Sequence, residues 1–324
     1  SESLVALSIF EEDASKPPPP AEDGRVIPNI DIPFALLRKV NARFGIEIGE
    51  LQRNDFHAGN LRLQGTLRDG TLAVDTLDLD TRDGNISASG RLVAHETGGQ
   101  MRLKLSAEKL AVNQLSDNPI RTDVDFDILA EGANLRELAA SANGFFVLQA
   151  TAGEFQKSAM MDLFYGGFAE QLLAKLNPFT KSGDMAKLDC GVVVVKIIDG
   201  VVQGRPAAYA QSDTARVLAD AVVDLRTEKI KIGFETLPKK GVSLLSFSEV
   251  VNPYLGVEGT LREPRLSLDE TSAIIAGSAA AATGGLSILA KGLWDRMKGA
   301  GDACIKALDY ANEAVKTAEN QDNP

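Results

Sequence analysis

The chain has 324 residues, 44% of them apolar, and carries 34 Lys and Arg against 45 Asp and Glu, for a net charge of −11. That is enough chain for one large domain or two. The acidic balance argues against a nucleic-acid partner and against electrostatic docking on anionic headgroups, but leaves apolar contact with lipid open. Two cysteines and two scattered histidines are too few ligands for a metal centre, and no cofactor-binding pattern is present.

The chain opens on Ser1, with no signal peptide and no long apolar span near its start. It is therefore expected to be the C-terminal or a processed part of a longer polypeptide. Residues 4–10 (LVALSIF) read as a short strand, and residues 11–24, acidic with four consecutive prolines at 17–20, as an extended linker. The strand is expected to complete a preceding repeat. Asp31 and Pro33 suit the start of a short helix in which Phe34, Leu37 and Val40 share a face.

From Phe44 to about Ala107 short strand signals follow one another: FGIEIGELQ, LRLQGTL, TLAVDTLDLD, NISASGRLVA and MRLKLSA. The turns between them contain Asp69-Gly70, Asp83-Gly84 and Gly98-Gly99. Strand and turn signals this close together predict an antiparallel meander rather than alternating strands and helices. Residues 110–120 read as a loop. Residues 122–129 (TDVDFDIL) read as a strand with Val124, Phe126 and Ile128 on one side and Asp123, Asp125 and Asp127 on the other. A short helix over residues 135–141, a strand over 144–150 and a longer helix over about 156–176 are expected next.

Residues 188–268 carry the densest strand signal. Val192 to Val195 form a β-branched run suited to burial on both faces, and Asp199-Gly200 is a hairpin-turn signal. A small polar insert follows, before ARVLADAVVDL. Ile230, Ile232 and Phe234 then alternate with Lys229, Lys231 and Gly233, and Pro264 suits a strand start or edge. Residues 271–290 contain no charge and are rich in Ala, Gly, Ser and Thr. Few large apolar side chains and a break at Gly284-Gly285 favour a packed or surface-lying helical cap over a membrane span. Trp294 between Lys291 and Arg296 suits a membrane interface as well as an ordinary cap. A final helix is expected from Asp302 to about Glu319.

The aspartates at 123, 125 and 127 have the spacing of the first ligands of a calcium loop. The required glycine position is Ile128 and the final acidic position Asn134, so the residues read as a solvated strand face. His57 and His95 are isolated, and no nucleophile-base or phosphate-binding motif appears. Cys190 and Cys304 leave two readings open: separate buried thiols, or a disulfide tying the last helix to the sheet, which requires an oxidising compartment.

In order along residues 24–268, the segments GRVIPNIDIPFALLRKVNARFGIEIGEL, LRLQGTLRDGTLAVDTLDLDTRDGNISASGRLVA, FFVLQATAGEF, LDCGVVVVKIIDGVV, VLADAVVDLRTEKIKIGFETLPK and GVEGTLREPRLSL resemble the C-terminal region of the AsmA family of bacterial envelope proteins. The resemblance implies a mainly β fold: an antiparallel, gutter-like twisted sheet with an apolar inner face and peripheral helices, akin to TamB and chorein-type bridge proteins. It implies three parts: residues 1–24, residues 25–268 as the β-rich body, and residues 269–324 as a helical cap. It implies a periplasmic location and an inner-membrane anchor that this sequence lacks. The family is associated with phospholipid movement and outer-membrane integrity, so phospholipid acyl chains and outer-membrane components are the expected partners. It also favours the Cys190–Cys304 disulfide, and it carries over no catalytic residue.

The leading expectation is a non-enzymatic lipid conduit lined by Leu103, Leu105, Val124, Phe126, Ile128, Ile230 and Ile232. For each residue, ordinary core packing is the competing role. An adaptor for outer-membrane protein assembly that carries no lipid is the second expectation. A β-rich carbohydrate-active enzyme with two converging carboxylates is the third.

Overall fold

The structure, a computed structural model, describes residues 24–53, 56–81, 83–111, 118–156, 185–213, 215–238, 256–267 and 303–321. The expected strand at residues 4–10 and helices at 157–176 and 271–297 lie outside these residues. Gln156, placed at the start of a helix by sequence, instead ends a strand.

Fifteen strands form one open, twisted antiparallel sheet. They are β1 (Ala42–Ile48), β2 (Leu51–Arg53), β3 (Phe56–Arg68), β4 (Thr71–Thr81), β5 (Asn85–His95), β6 (Gly98–Ala111), β7 (Arg121–Gly132), β8 (Asn143–Ala150), β9 (Gly153–Gln156), β10 (Met185–Ile198), β11 (Val201–Ser212), β12 (Ala215–Asp224), β13 (Lys229–Pro238), β14 (Gly256–Thr260) and β15 (Pro264–Ser267). Thirteen run side by side in chain order, while β2 extends the edge beside β3 and β9 pairs with β10. The expected meander is thus the whole body. Asp69-Gly70 and Asp199-Gly200 form tight turns with positive φ at both residues (50° and 78°; 47° and 73°), the geometry that matches strand twist.

Three details differ from the sequence reading. Gly98 pairs with His95, so the β5–β6 turn is Glu96-Thr97 and Gly98-Gly99 open β6. Gly99 is needed in that strand because a Cβ there would overlap the ring of Phe34. The polar insert after Gly200 is a full strand, β11. Its Arg205–Ala207 stretch is accommodated as a bulge around a cis Arg205-Pro206 bond, where a proline does not interrupt the ladder. Finally, the first helix, α1 (Phe34–Leu37), is a single turn that excludes Val40. Asp31 does not cap it, because its backbone is used in a bridge to Asn134.

Two further helices complete the described structure. α2 (Leu135–Ser141), at the expected position, is capped by Asn134, whose side chain accepts from the Glu137 N–H at 2.9 Å. The Glu137 carboxylate reaches back to the Ala133 N–H at 2.8 Å. α3 (Ala303–Gln321) lies on the sheet over β8 and β10. Ala303, Ala307 and Ala311 face Val147, Val192, Val194, Tyr209 and Leu218, and all eight are buried. Small residues at intervals of four let the helix approach the sheet closely. Cys190 and Cys304 are disulfide-bonded, which resolves the choice between two thiols and one bridge. Burial pushes the Tyr209 hydroxyl up to about 12; it stays protonated and donates to Gln211 at 2.8 Å.

One end of the sheet is bound by residues 24–41, which run as a strap across its turns before entering β1. Glu228, 2% exposed in the β12–β13 turn, accepts from the Val26 and Ile27 N–H groups at 2.8 Å each and pairs with Arg25 at 3.3 Å. Arg136 of α2 donates to the Ile27 carbonyl at 2.9 Å, and Ile30 and Ile32 pair with Leu135 and Ala133 through backbone hydrogen bonds. Asn41 accepts from Asp69 in the β3–β4 turn at 2.9 Å.

Two outcomes follow. Replacing Glu228 by Ala leaves the Val26 and Ile27 N–H groups without their acceptor and removes the ion pair with Arg25. It should cost about 2–4 kcal/mol in denaturant unfolding and speed hydrogen exchange at Val26 and Ile27. Cys304→Ser opens a loop with a sequence separation of 114 residues. It should lower stability by about 2–5 kcal/mol, with exchange protection lost first in α3.

Candidate functional site

Directly paired residues on neighbouring strands point to the same face of a sheet. One such row begins at Phe44 and continues through Gly65, Val74, Gly90, Leu103, Ile128 and Gly144. It goes on through Ile197, Val202, Val223, Ile230 and Gly259 to Pro264. The row crosses all thirteen side-by-side strands without one polar side chain. At about 4.8 Å per strand it extends roughly 60 Å.

Parallel rows repeat the pattern. Ile46, Leu63, Leu77, Ala88, Leu105, Phe126, Phe146 and Val195 form a second. Ile48, Leu61, Leu79, Ile86, Ala107, Val124, Leu148, Val193, Ala208, Ala219 and Phe234 form a third. A shorter one joins Ala221, Ile232, Val257 and Leu266.

All seven residues singled out from the sequence therefore lie on one face of one sheet. Leu103, Leu105, Val124, Phe126, Ile128 and Ile232 are half-buried, while Ile230 is 9% exposed. At the strap end this face is partly covered: Leu138 of α2 and Ile32 pack on Ala130 and Ile197, with Met101, Phe126, Ile128 and Val202 around them. Phe126 and Ile128 thus have a packing role as well as a place in the row. The covering by α2 and the strap had no signal in the sequence, because it depends on partners far apart in the chain. The other apolar rows were detectable strand by strand as alternation.

The opposite face is polar from β3 to β7. Asp127 takes two hydrogen bonds from Arg102, at 3.2 and 3.0 Å, and an ion pair from Lys104 at 3.1 Å. Asp125 accepts from Ser106 at 3.1 Å, and Asp123 from the Lys109 N–H at 2.7 Å. Each of the three aspartates is engaged by neighbouring groups; Asp123 and Asp125 are half-buried, and Asp127, 8% exposed, is buried in its pairs with Arg102 and Lys104, which departs from the solvated face expected. A depression of about 340 Å³ lies here beside Val315 of α3, lined by Asp75, Asp78, Ser87, Ser89, Lys104 and the three side chains of Ser106, Asp125 and Asp127 among others. Among the described residues no group of three His, Cys, Asp or Glu is placed to hold a metal ion, and no helix is long and apolar enough to cross a membrane. From β8 to β12 the same face turns apolar where α3 covers it.

The two faces thus differ in kind. One offers charges that neutralise one another. The other carries rows of apolar side chains that continue from strand to strand, a surface for apolar contact. No family model, curated protein or solved structure matches the chain.

Proposed function

We propose that this chain is a lipid-binding segment of a cell-envelope protein of the AsmA type, and that its apolar strip holds the acyl chains of phospholipids. The row from Phe44 to Pro264 carries the reading. Contact with each methylene contributes about 0.8 kcal/mol wherever it occurs, and a strip with no polar interruption gives an acyl chain no preferred stopping point. Lipid then slides along the face instead of locking into a site. The Cys190–Cys304 bond supports an oxidising compartment, in keeping with a periplasmic body tethered to the inner membrane by a part of the protein not in this chain. The role that follows is phospholipid passage toward the outer membrane in support of its assembly, without catalysis.

The test is site-specific photo-crosslinking of the chain secreted to the periplasm, with the photoreactive residue at Phe126 or at Asp125. These neighbours point to opposite faces of β7. Phospholipid adducts are expected at Phe126 and at Leu103, and not at Asp125. If Phe126, Leu103 and Ile232 all give none while the protein is folded and disulfide-bonded, the strip is ordinary packing and the conduit reading is lost.

A further inference from the structure

The strap has two apolar sides. Ile27, Ile32, Phe34 and Leu37 point inward and are buried or half-buried. Val26, Ile30, Leu36 and Val40 point outward and are 52%, 55%, 58% and 50% exposed. Among the described residues nine large apolar side chains are exposed, and six of them lie along this one end of the sheet: these four, Leu135 of α2 and Ile198 beside the β10–β11 turn. A soluble surface scatters such residues; their collection on one rim marks a contact surface.

The charge of the strap departs from that of the chain. Residues 24–43 carry Arg25, Arg38, Lys39 and Arg43 against Asp31, in a protein of net charge −11; Asp69, in the turn bonded to Asn41, and Glu137 and Asp199, beside Leu135 and Ile198, are carboxylates of the same end outside the strap. Arg25 is committed to Glu228. Arg38, Lys39 and Arg43 are exposed, and they flank the exposed Leu36 and Val40. Cations beside protruding aliphatic side chains are the chemistry of an anionic bilayer surface: the aliphatic groups enter the headgroup boundary and the cations meet phosphate. At ordinary ionic strength charges separated by more than about 10 Å are largely screened, so the local excess governs this contact rather than the acidic remainder.

We propose that residues 24–43 form a docking rim that seats the sheet edge-on against an anionic phospholipid bilayer, with Leu36 and Val40 inserted and Arg38, Lys39 and Arg43 on the headgroups. This rests on the rim alone and holds whether or not the apolar strip carries lipid. Flotation of the full chain with vesicles measures it, using equal parts phosphatidylglycerol and phosphatidylcholine, or phosphatidylcholine alone.

The unsubstituted chain is expected to float with the anionic vesicles and much less with the neutral ones. Arg38→Gln with Lys39→Gln should weaken anionic binding about 30-fold, and Leu36→Ser with Val40→Ser roughly tenfold or more. Ile305→Ser, which removes an exposed apolar side chain on α3, should bind as the unsubstituted chain does. All three variants alter side chains without removing a hydrogen bond of the strap, and circular dichroism checks their fold. Equal flotation with both vesicle types, retention of binding by Leu36→Ser with Val40→Ser, or loss of it in Ile305→Ser would each overturn the proposal. Loss of lipid crosslinks at Phe126 with vesicle docking intact would overturn the strip's function and leave the rim standing.

Discussion

Everything in this molecule depends on thirteen strands keeping their alternation in phase. Side chains alternate with a period of two, so a slip of one residue in any strand would turn its apolar set to the other face. The chain meets this constraint even where its own alternation breaks. In β4 the apolar positions run Leu72, Val74, Leu77, Leu79, with Asp75 and Thr76 together between them. The register shifts there by one residue, and the bulge restores the phase. Glu108 and Lys109 do the same in β6, with Lys109 at a φ of 55°, and Gly59 and Asn60 in β3. In β11 the stretch around Arg205 and Pro206 adds two residues, an even number, so no side chain changes face.

This phase-keeping also sets the chemistry of the two faces. The longest apolar row runs from edge to edge, and among the described residues the strap and α2 cover the face at one end while Ile120 and Leu188 pack beside Leu148. On the other face apolar residues occur where a helix waits for them, under α3, and charges occur elsewhere. The disulfide joins that helix to β10 at the middle of the sheet rather than to an edge. The helix is therefore held where the second face most needs cover.

Much of this was legible in the sequence because alternation is a local property. Leu103, Leu105, Val124, Phe126, Ile128, Ile230 and Ile232 could be assigned to one side of their own strands, and the turns at Asp69-Gly70 and Asp199-Gly200 say that those strands are antiparallel neighbours. The bulges were not read from the sequence; Asp75-Thr76 and Glu108-Lys109 stand out as off-phase pairs once the register of their neighbours is known. What the sequence left out was contact over distance. Residues 25–30 have no periodicity, and their anchor, Glu228, is about two hundred positions away. Asp31 looked like a helix cap because the competing claim on its backbone comes from Asn134. The pairing of Cys190 with Cys304 could not be derived from two positions alone; only resemblance favoured it. β11 was read as a small polar insert; the bulge around Arg205 and Pro206 is what lets that stretch continue as a strand.

The parity of the sheet has a consequence for how such a protein grows. Thirteen strands in strict antiparallel order give two outer strands, β1 and β15, that run in the same direction. Among the described residues each pairs on one side only. A duplicated hairpin inserted anywhere in the meander adds two strands, returns the chain to the same rim and leaves the direction of every other strand unchanged. If its alternation is in phase, it also lengthens each apolar row by two residues. A single added strand would do neither, since it would send the chain to the wrong rim. The hairpin is thus the smallest unit by which this architecture can be lengthened or shortened, and the span of the strip can be tuned in steps of roughly 10 Å without redesign of its cross-section.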